Sequence, residues 1–510
     1  MTTRKKKSLR KLQSRLPGKW PEILLALLIL AGFALRMVDL TDPPLDFHPT
    51  RQYRGALIAR SIYYTMSPSP DPAIQRHAVS QRNNVAELEP PILESIVAAG
   101  YLIAGGEQLW IARIVTSLFW VLAAVPLYLL ASAIVSRKAA LIASGYYLFM
   151  DFGVQASRSF QPDPLMVALF VVATYAAYRW TEDGRWRWVL FTGVAASITI
   201  LVKAIAAYFL FGMLAFAAVA TLGLRHSLRS IQLWALALIS LLPSLVYYLL
   251  NTRESSVSYF QNWVVALLPL AFKPEFYIRW MLLVASLLGA ASVVAMAFGL
   301  IVMQGRGRSI LLGALLGYVV YGITLPHQTT THNYYHLVLV PLAALSVAPL
   351  VGLIMERVEQ QSNPWRALFA LTLLGSLLFT AWTVRSEMLG VDYSNEPPYW
   401  ERIGRAIPQG GKTIALTQHY GHLINYYGWR RVDLWPTTSE LNLAELRGNS
   451  IQDFEHTFLE RSNGRDYFLI TTFNQLDMQP ILKQYLETNY PVFGQGDGFL
   501  IYDLRVRLDS

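Results

Sequence analysis

Apolar stretches long enough to cross a lipid bilayer recur through the first 390 residues of the chain. A helix crosses the bilayer core with about 20 consecutive apolar residues. Only 15% of the 510 residues are charged, whereas a soluble globular protein carries about 25%. We therefore predict a mainly α, polytopic membrane protein. The apolar stretches are residues 20–40, 91–106, 109–135, 139–156, 164–180, 188–223, 231–250, 280–303, 309–325, 335–354 and 365–385.

Two of these stretches do not fit a single crossing. The 188–223 stretch is too long, and Lys203 lies near its middle. A lysine at that depth is costly unless it lies at an interface, so we predict two helices that meet near Lys203. The 91–106 stretch is short and begins at a proline pair, which predicts a helix that dips into the membrane without crossing it.

Short basic loops set the predicted topology, because loops rich in lysine and arginine face the cytosol. With the N-terminus inside, every basic loop falls inside and the chain makes eleven crossings. The segments "DFHPTRQ", "QPD", Lys203 and "HQTTTHNYYH" then all face outwards. The basic loops are "SRK" (136–138), "RWTEDGRWR" (179–187), "RHSLR" (225–229), "QGRGR" (304–308) and "MERVEQQSNPWR" (355–366).

The chain divides into three parts. Residues 1–19 form a basic cytoplasmic N-terminus, and residues 20–390 form the membrane domain, with a first outer loop at 41–108. Residues 391–510 are acidic overall, with 15 Asp and Glu against 11 Lys and Arg. Short strand-like runs there, "KTIALTQ", "DYFLITTF" and "GFLIYDLRV", alternate with "DFEHTFLERS" and "QPILKQYLET", which are helix-like. We predict a small α/β domain on the outer face.

Two function classes are disfavoured by composition. The chain has no cysteine, so neither a disulfide framework nor thiolate chemistry is available. The formal charge of +10 comes from the membrane part, where positive charge sets topology, so no nucleic-acid partner is expected.

Ionisable residues are predicted to gather on the outer side. Arg54 and Arg60 are interpreted differently, as the polar face of an interfacial helix. For each outer residue a structural role, such as a helix cap or a residue at the membrane interface, stays an alternative. The candidates are Asp46, His48, Arg51, Glu89, Arg158, Asp163, Lys203, His327, His332 and His336.

The chemistry of this set suits transfer from a lipid phosphate. A carboxylate can take the proton of an acceptor hydroxyl. Arginine, lysine or a divalent metal can stabilise charge on a departing phosphate. His332 and His336 are four residues apart with no acid between them, which is weak evidence for a metal site.

The order of these motifs resembles the C-type glycosyltransferases (GT-C). The motifs are "LDFHPTRQYRGALIAR", "ELEPP", "SRSFQPDPLMVALF", "ITILVKA" and "HNYYHLVLVPLAAL". The likeness covers residues 20 to about 385. It is strongest to the branch of families 39 and 83, which contains protein O-mannosyltransferases and aminoarabinose transferases. It implies an inverting enzyme that uses a polyprenyl-phosphate sugar.

The resemblance also assigns roles to residues. It implies Asp46 as the general base and Asp163 as the acid of the second outer loop. Lys203, in "LVKA", and His332 match residues expected at the donor phosphate, where Arg51 and Arg158 would add positive charge.

The chain departs from the family pattern in its first loop and at Glu89. Where relatives have two adjacent acids, this chain has Asp46, Phe47 and His48, and the lysine that follows the relatives' glutamate is replaced by Pro90. A divalent metal is therefore an open expectation, with Glu89 and His48 as its ligands if one is bound. His48 could also take the place of the first-loop acid. No nucleotide cofactor is expected.

The resulting prediction is a glycosyltransferase of the bacterial inner (plasma) membrane. The donor would be a polyprenyl-phosphate-linked sugar, the acceptor a lipid, glycan or protein, and the surroundings membrane lipids. The active site and the α/β domain would be extracytoplasmic. Two alternatives stay open. One is a transporter or lipid flippase, and the other is a non-catalytic assembly factor built on the same fold.

Overall fold

Helices make up most of the membrane part of the protein. The computed structural model describes residues 19–85, 89–251, 257–449 and 453–508, so the predicted basic N-terminus lies outside the described residues except for its last one. The helices are α1 (Trp20–Arg36), α2 (Pro49–Met66), α3 (Pro72–Gln81), α4 (Ile92–Ala104), α5 (Trp110–Ile134), α6 (Arg137–Phe149), α7 (Asp151–Ser157), α8 (Pro162–Asp183), α9 (Trp186–Val202), α10 (Ala206–Leu222), α11 (Leu224–Ser227), α12 (Ile231–Asn251), α13 (Pro274–Leu288), α14 (Ala290–Val302), α15 (Gly305–Thr324), α16 (Pro326–Thr331), α17 (Leu339–Glu359) and α18 (Asn363–Met388).

Several of these helices have the length and composition of membrane spans. Within the described ranges, five qualify alone, and the bent pairs α7–α8 and α13–α14 raise the number to seven if each pair is one span. Helices α1, α9 and α10 have 17 residues each, which is about 25 Å at 1.5 Å per residue. The mainly α membrane fold is confirmed, and the count of eleven crossings stays a prediction.

The predicted division of the 188–223 stretch is confirmed. Helix α9 ends at Val202, Lys203 has an extended backbone, and α10 begins at Ala206. Helix α10 then packs closely against α15, because the two meet at glycines. A Cβ atom added to Gly212 would overlap the carbonyl oxygen of Gly313. Small residues let helix backbones approach in this way.

The elements after residue 390 form an α/β domain, as predicted. The sheet order is β2-β1-β3-β5-β4, with β1 parallel to β2 and β3, and β5 antiparallel to β3 and β4. Strands β1, β3 and β5 and helices α22 and α24 confirm the predicted elements. The elements are α19 (Glu396–Ala406), β1 (Thr413–Leu416), α20 (His422–Tyr426), β2 (Val432–Leu434), α21 (Thr438–Leu446), α22 (Phe454–Ser462), β3 (Tyr467–Ile470), α23 (Phe473–Asp477), α24 (Pro480–Asn489), β4 (Val492–Gly496) and β5 (Phe499–Asp503).

The sheet domain rests on the first loop through a buried arginine. Arg60, on α2, donates from Nε to Glu107 (2.9 Å) and from Nη1 to the carbonyl of Tyr426 (2.7 Å). Its guanidinium also stacks 3.7 Å from the centre of the Tyr426 ring. The interpretation of Arg60 as part of the polar face of an interfacial helix is therefore wrong, because the sheet domain covers this face of α2 and leaves Arg60 only 4% exposed.

Candidate functional site

His48 begins helix α2 in a strained conformation. Its φ angle is 49°, in the left-handed region that residues other than glycine rarely adopt, and such strain is often found at functional sites. Its Nε2 donates to Oδ1 of Asn333 (2.5 Å), and its ring stacks on that of His332 with centroids 6.2 Å apart. Burial, with the nearby Arg51 and Lys203, lowers the pKa of His48, so the imidazole is neutral at pH 7.

Asp46 lies against two arginines. Its Oδ2 is 3.1 Å from Nη2 of Arg113 and 3.7 Å from Nη1 of Arg158, and its Oδ1 accepts from Gln52 (3.3 Å). The carboxylate is 26% exposed. Asp46 thus faces a small pocket, whereas the partners of His48 belong to the segment before α17. Phe47 lies between them and lines that pocket, with its ring centre 4.8 Å from that of His48.

Asp163 and Lys203 form a buried ion pair. Nζ of Lys203 is 2.7 Å from Oδ1 of Asp163, and the two side chains are 4% and 3% exposed. The ammonium also lies 4.8 and 4.4 Å from the ring centres of Tyr334 and Tyr335, where it is attracted to the π faces. The break between α9 and α10 places Lys203 here, so the predicted convergence of these segments is confirmed.

A cavity of about 310 Å³ opens beside this pair, and we call it the cationic cavity. Arg51 and Lys203 supply its positive charge, and Glu89 lies on its wall. Nε of Arg51 donates to the hydroxyl of Tyr334 (3.1 Å), and Glu89 pairs with Arg54 at 3.7 Å. Apolar side chains complete the wall, including Ile205, Phe260, Val264 and Leu325. The cavity therefore combines two cationic side chains with an apolar surface.

Two residues expected at the donor phosphate lie outside the lining of this cavity. Arg158 donates to the carbonyls of Val38 and Asp39 (2.7 and 2.8 Å) and lines the pocket of Asp46. His332 stacks on His48, and burial together with Arg51 lowers its pKa to about 3. At neutral pH His332 carries no charge for a phosphate, so its predicted role would have to come from a hydrogen bond.

The residues proposed as metal ligands do not fit a metal site. Within the described ranges, no group of three or more histidines and carboxylates lies together. Glu89 is paired with Arg54, and His48 with an amide oxygen. His336 is buried and its Nδ1 is hydrogen-bonded to the hydroxyl of Tyr318 (2.6 Å), so it does not share a site with His332. We derive no step through a metal.

Comparison with known proteins decides the fold. Residues 88–249 match the family model of dolichyl-phosphate-mannose-protein mannosyltransferases. ArnT from Cupriavidus metallidurans, solved with undecaprenyl phosphate, aligns over 95% of this chain and 97% of its own, with 14% identity and a TM-score of 0.57. The oligosaccharyltransferase AglB from Archaeoglobus fulgidus, solved with an inhibitory peptide and a dolichol-phosphate, aligns over 95% and 74%, with 13% identity and a TM-score of 0.57.

This chain has the GT-C fold. The fold that the motifs predicted is thereby confirmed. No curated protein sequence matches it, so the fold, together with the family match over residues 88–249, carries the relationship.

Sequence reasoning missed several residues of this site. Arg113 holds Asp46, Asn333 orients His48, and Tyr334 and Tyr335 cover Lys203. Arg113 lies in an apolar stretch, where a buried arginine is costly. This position could have indicated that Arg113 has a buried partner. Nothing in the sequence distinguished Asn333 from other loop residues.

Proposed function

We propose that the protein transfers a sugar from a polyprenyl-phosphate donor to an acceptor at the membrane surface. The observation that carries this proposal is the cationic cavity, where Arg51 and Lys203 border an apolar wall. A lipid phosphate needs both features. Its phosphate is stabilised by the cations, and its chain by apolar contact. The match to mannosyltransferases and the undecaprenyl phosphate of ArnT support the same donor class.

The proposed reaction is a single displacement at the anomeric carbon. The acceptor oxygen forms a bond to that carbon, the bond from the carbon to the phosphate oxygen breaks, and the configuration inverts. The polyprenyl phosphate leaves with the electron pair, and Arg51 and Lys203 stabilise its charge. The acceptor proton passes to a base of the protein.

We propose Asp46 as this base. Its carboxylate is partly exposed to a pocket that an acceptor could enter, whereas Asp163 is buried and held by Lys203. Arg113 and Arg158 lie against this carboxylate and hold it at the pocket. Asp163 would then fix the position of Lys203. His48 is the alternative base, because it is neutral and lies on the side of the Asp163–Lys203 pair.

The position of the charged groups favours a transferase over a transporter. A transporter keeps its ionisable residues near the middle of the bilayer. Here Asp163 and Lys203 lie at helix ends, and His48 precedes the first turn of α2. The site therefore sits at one end of the helix bundle.

A transfer assay tests the proposal. Purified protein is incubated with radiolabelled polyprenyl-phosphate sugars and an envelope extract as acceptor. We expect transfer by the wild type, and a loss of roughly 100-fold or more in Asp46→Asn, the scale of a lost general base. The matched control is Glu401→Gln, which removes a surface carboxylate paired with Arg405 on the same helix.

The variants also rank the candidate bases. Activity retained in Asp46→Asn but lost in His48→Asn would move the role to His48. Adding EDTA to the wild-type reaction measures any metal requirement. No transfer from any common bacterial donor would refute the proposed function.

A further inference from the structure

A second pocket borders the first loop, and its charge is opposite to that of the cationic cavity. This acidic pocket of about 140 Å³ is lined by three carboxylates, Asp39, Asp46 and Glu387, against one cation, Arg158. Tyr393, which follows α18, closes one side. Arg113 lies behind Asp46 at 3.1 Å, so three carboxylates still outnumber the two arginines at this pocket. An anionic head group is therefore disfavoured, and an uncharged or amine-bearing group is favoured.

Arg158 shows that this pocket has unused hydrogen-bonding capacity. The side chain is 1% exposed. Within the part of the chain that the structure describes, its Nε and Nη1 atoms have no hydrogen-bond partner. Nη1 is 3.7 Å from Asp46, which is too long for a hydrogen bond. Buried donors are nearly always satisfied, so Arg158 points to a ligand with hydroxyl oxygens.

An apolar groove of about 440 Å³ lies in the membrane part below the acidic pocket. It runs between α18 and helices α1 and α6, and is lined by Leu28, Tyr146, Phe149, Leu373, Leu377 and Thr380. Other helices cover little of α18, because only 6% of its apolar membrane segment is buried. The groove therefore opens to the hydrocarbon of the bilayer.

The same helices line the groove and the acidic pocket. On α18, Thr380 lines the groove and Glu387 the pocket, and seven residues of helix rise by about 10 Å. On the other wall, Asp151 ends the groove and accepts from Gln155 (2.7 Å), which also donates to Glu387 (2.8 Å). The groove and the acidic pocket thus follow one another along the same helices, and the hydrogen-bonded residues Asp151, Gln155 and Glu387 lie where they meet.

We propose that the groove and the acidic pocket bind the acceptor, and that the acceptor is a membrane lipid with an uncharged or amine-bearing hydroxylated head group. This inference rests on the proposed function. Asp46, at the pocket, would take the proton of the acceptor hydroxyl. The donor would lie beyond Phe47, on the side of Lys203. Donor and acceptor would therefore reach the first loop from different sides. The donor would enter through the cationic cavity, and the acceptor through the groove and the acidic pocket.

Lipid binding by the purified full-length protein in detergent micelles tests this inference. Native mass spectrometry measures retention of three probes: monoglucosyl diacylglycerol, phosphatidylglycerol and undecaprenyl phosphate. Leu377→Trp and Thr380→Phe fill the groove. Leu378→Trp is the matched control, because Leu378 is the next residue on α18, is 60% exposed and does not line the groove.

We expect the wild type to retain the glucolipid more tightly than phosphatidylglycerol. Each groove variant should weaken the glucolipid about tenfold, equivalent to 1.4 kcal/mol, and Leu378→Trp should leave it unchanged. Undecaprenyl phosphate should bind all three variants equally, which also shows that they are folded. In the transfer assay, the labelled product should partition into the organic phase.

Three results would overturn the inference. The first is that the wild type and both groove variants retain the glucolipid equally. The second is that phosphatidylglycerol binds the wild type as tightly as the glucolipid does and is weakened equally by the groove variants. The third is that the labelled product of the transfer assay is found only in protein. A different result bears on the proposed function. If Lys203→Met leaves undecaprenyl phosphate binding unchanged, the donor site is refuted, whatever the glucolipid shows.

Discussion

Removing one partner of the Asp163–Lys203 pair should destabilise the protein more than removing both. Lys203→Met leaves a carboxylate that is 3% exposed without its partner at 2.7 Å. Such a loss typically costs about 3 to 5 kcal/mol. Asp163→Asn leaves the ammonium with only the faces of Tyr334 and Tyr335, so a similar cost is expected. The double variant has no unpaired charge and should lose less than about 2 kcal/mol.

The assay is unfolding in mixed micelles, followed by circular dichroism, for the wild type, both single variants and the double variant. The double-mutant cycle then gives the coupling free energy of the pair. Undecaprenyl phosphate binding is measured on the same samples. If Lys203 also holds the donor phosphate, the double variant regains stability but not binding. Single variants that each lose under about 1 kcal/mol, or a double variant as unstable as either, would refute the reasoning.

Three further predictions concern stability. Arg60→Gln leaves Glu107 without its cation beneath the sheet domain, with the hydroxyl of Tyr426 still donating to it. The loss should cost roughly 2 to 3 kcal/mol, seen as faster proteolysis between the two domains. The pKa of His332 is about 3 in the folded protein against about 6.5 in the unfolded chain. The free energy of unfolding should therefore be highest above pH 6.5 and lower by about 2 kcal/mol at pH 5, because the unfolded chain binds a proton there and the folded protein does not. In His332→Asn, the free energy of unfolding should change less between pH 6.5 and pH 5 than in the wild type. Gly212→Ala should cost about 1 to 3 kcal/mol by overpacking, whereas Gly145→Ala, with no atom within 4 Å of its added Cβ, should unfold like the wild type.

More of the fold than of the site could be predicted from the sequence. Hydropathy placed helices in every apolar stretch, and the charge of Lys203 correctly located a break between two of them. The strands β2 and β4 were missed because one has three residues and the other is an exposed glycine-containing edge. Within the site, topology predicted that Asp163 and Lys203 lie on the same side, but their ion pair is seen only in the structure. The burial of Arg60 did not, because the sheet domain that covers it lies more than 300 residues away in the chain.

The sequence by itself determined the class of molecule and the end of the bundle at which its charged residues gather. Both depend on hydropathy and loop charge, which are local properties of the chain. Only the tertiary structure decided which charges meet. Two residues of the first loop that are only two positions apart differ in this respect: Asp46 lies against Arg113 and Arg158, whereas His48 lies against Asn333. The reason is that the partners come from distant helices, whose positions are set by packing. The motif "LDFHPTRQ" alone therefore does not show that Asp46 and His48 face different parts of the protein.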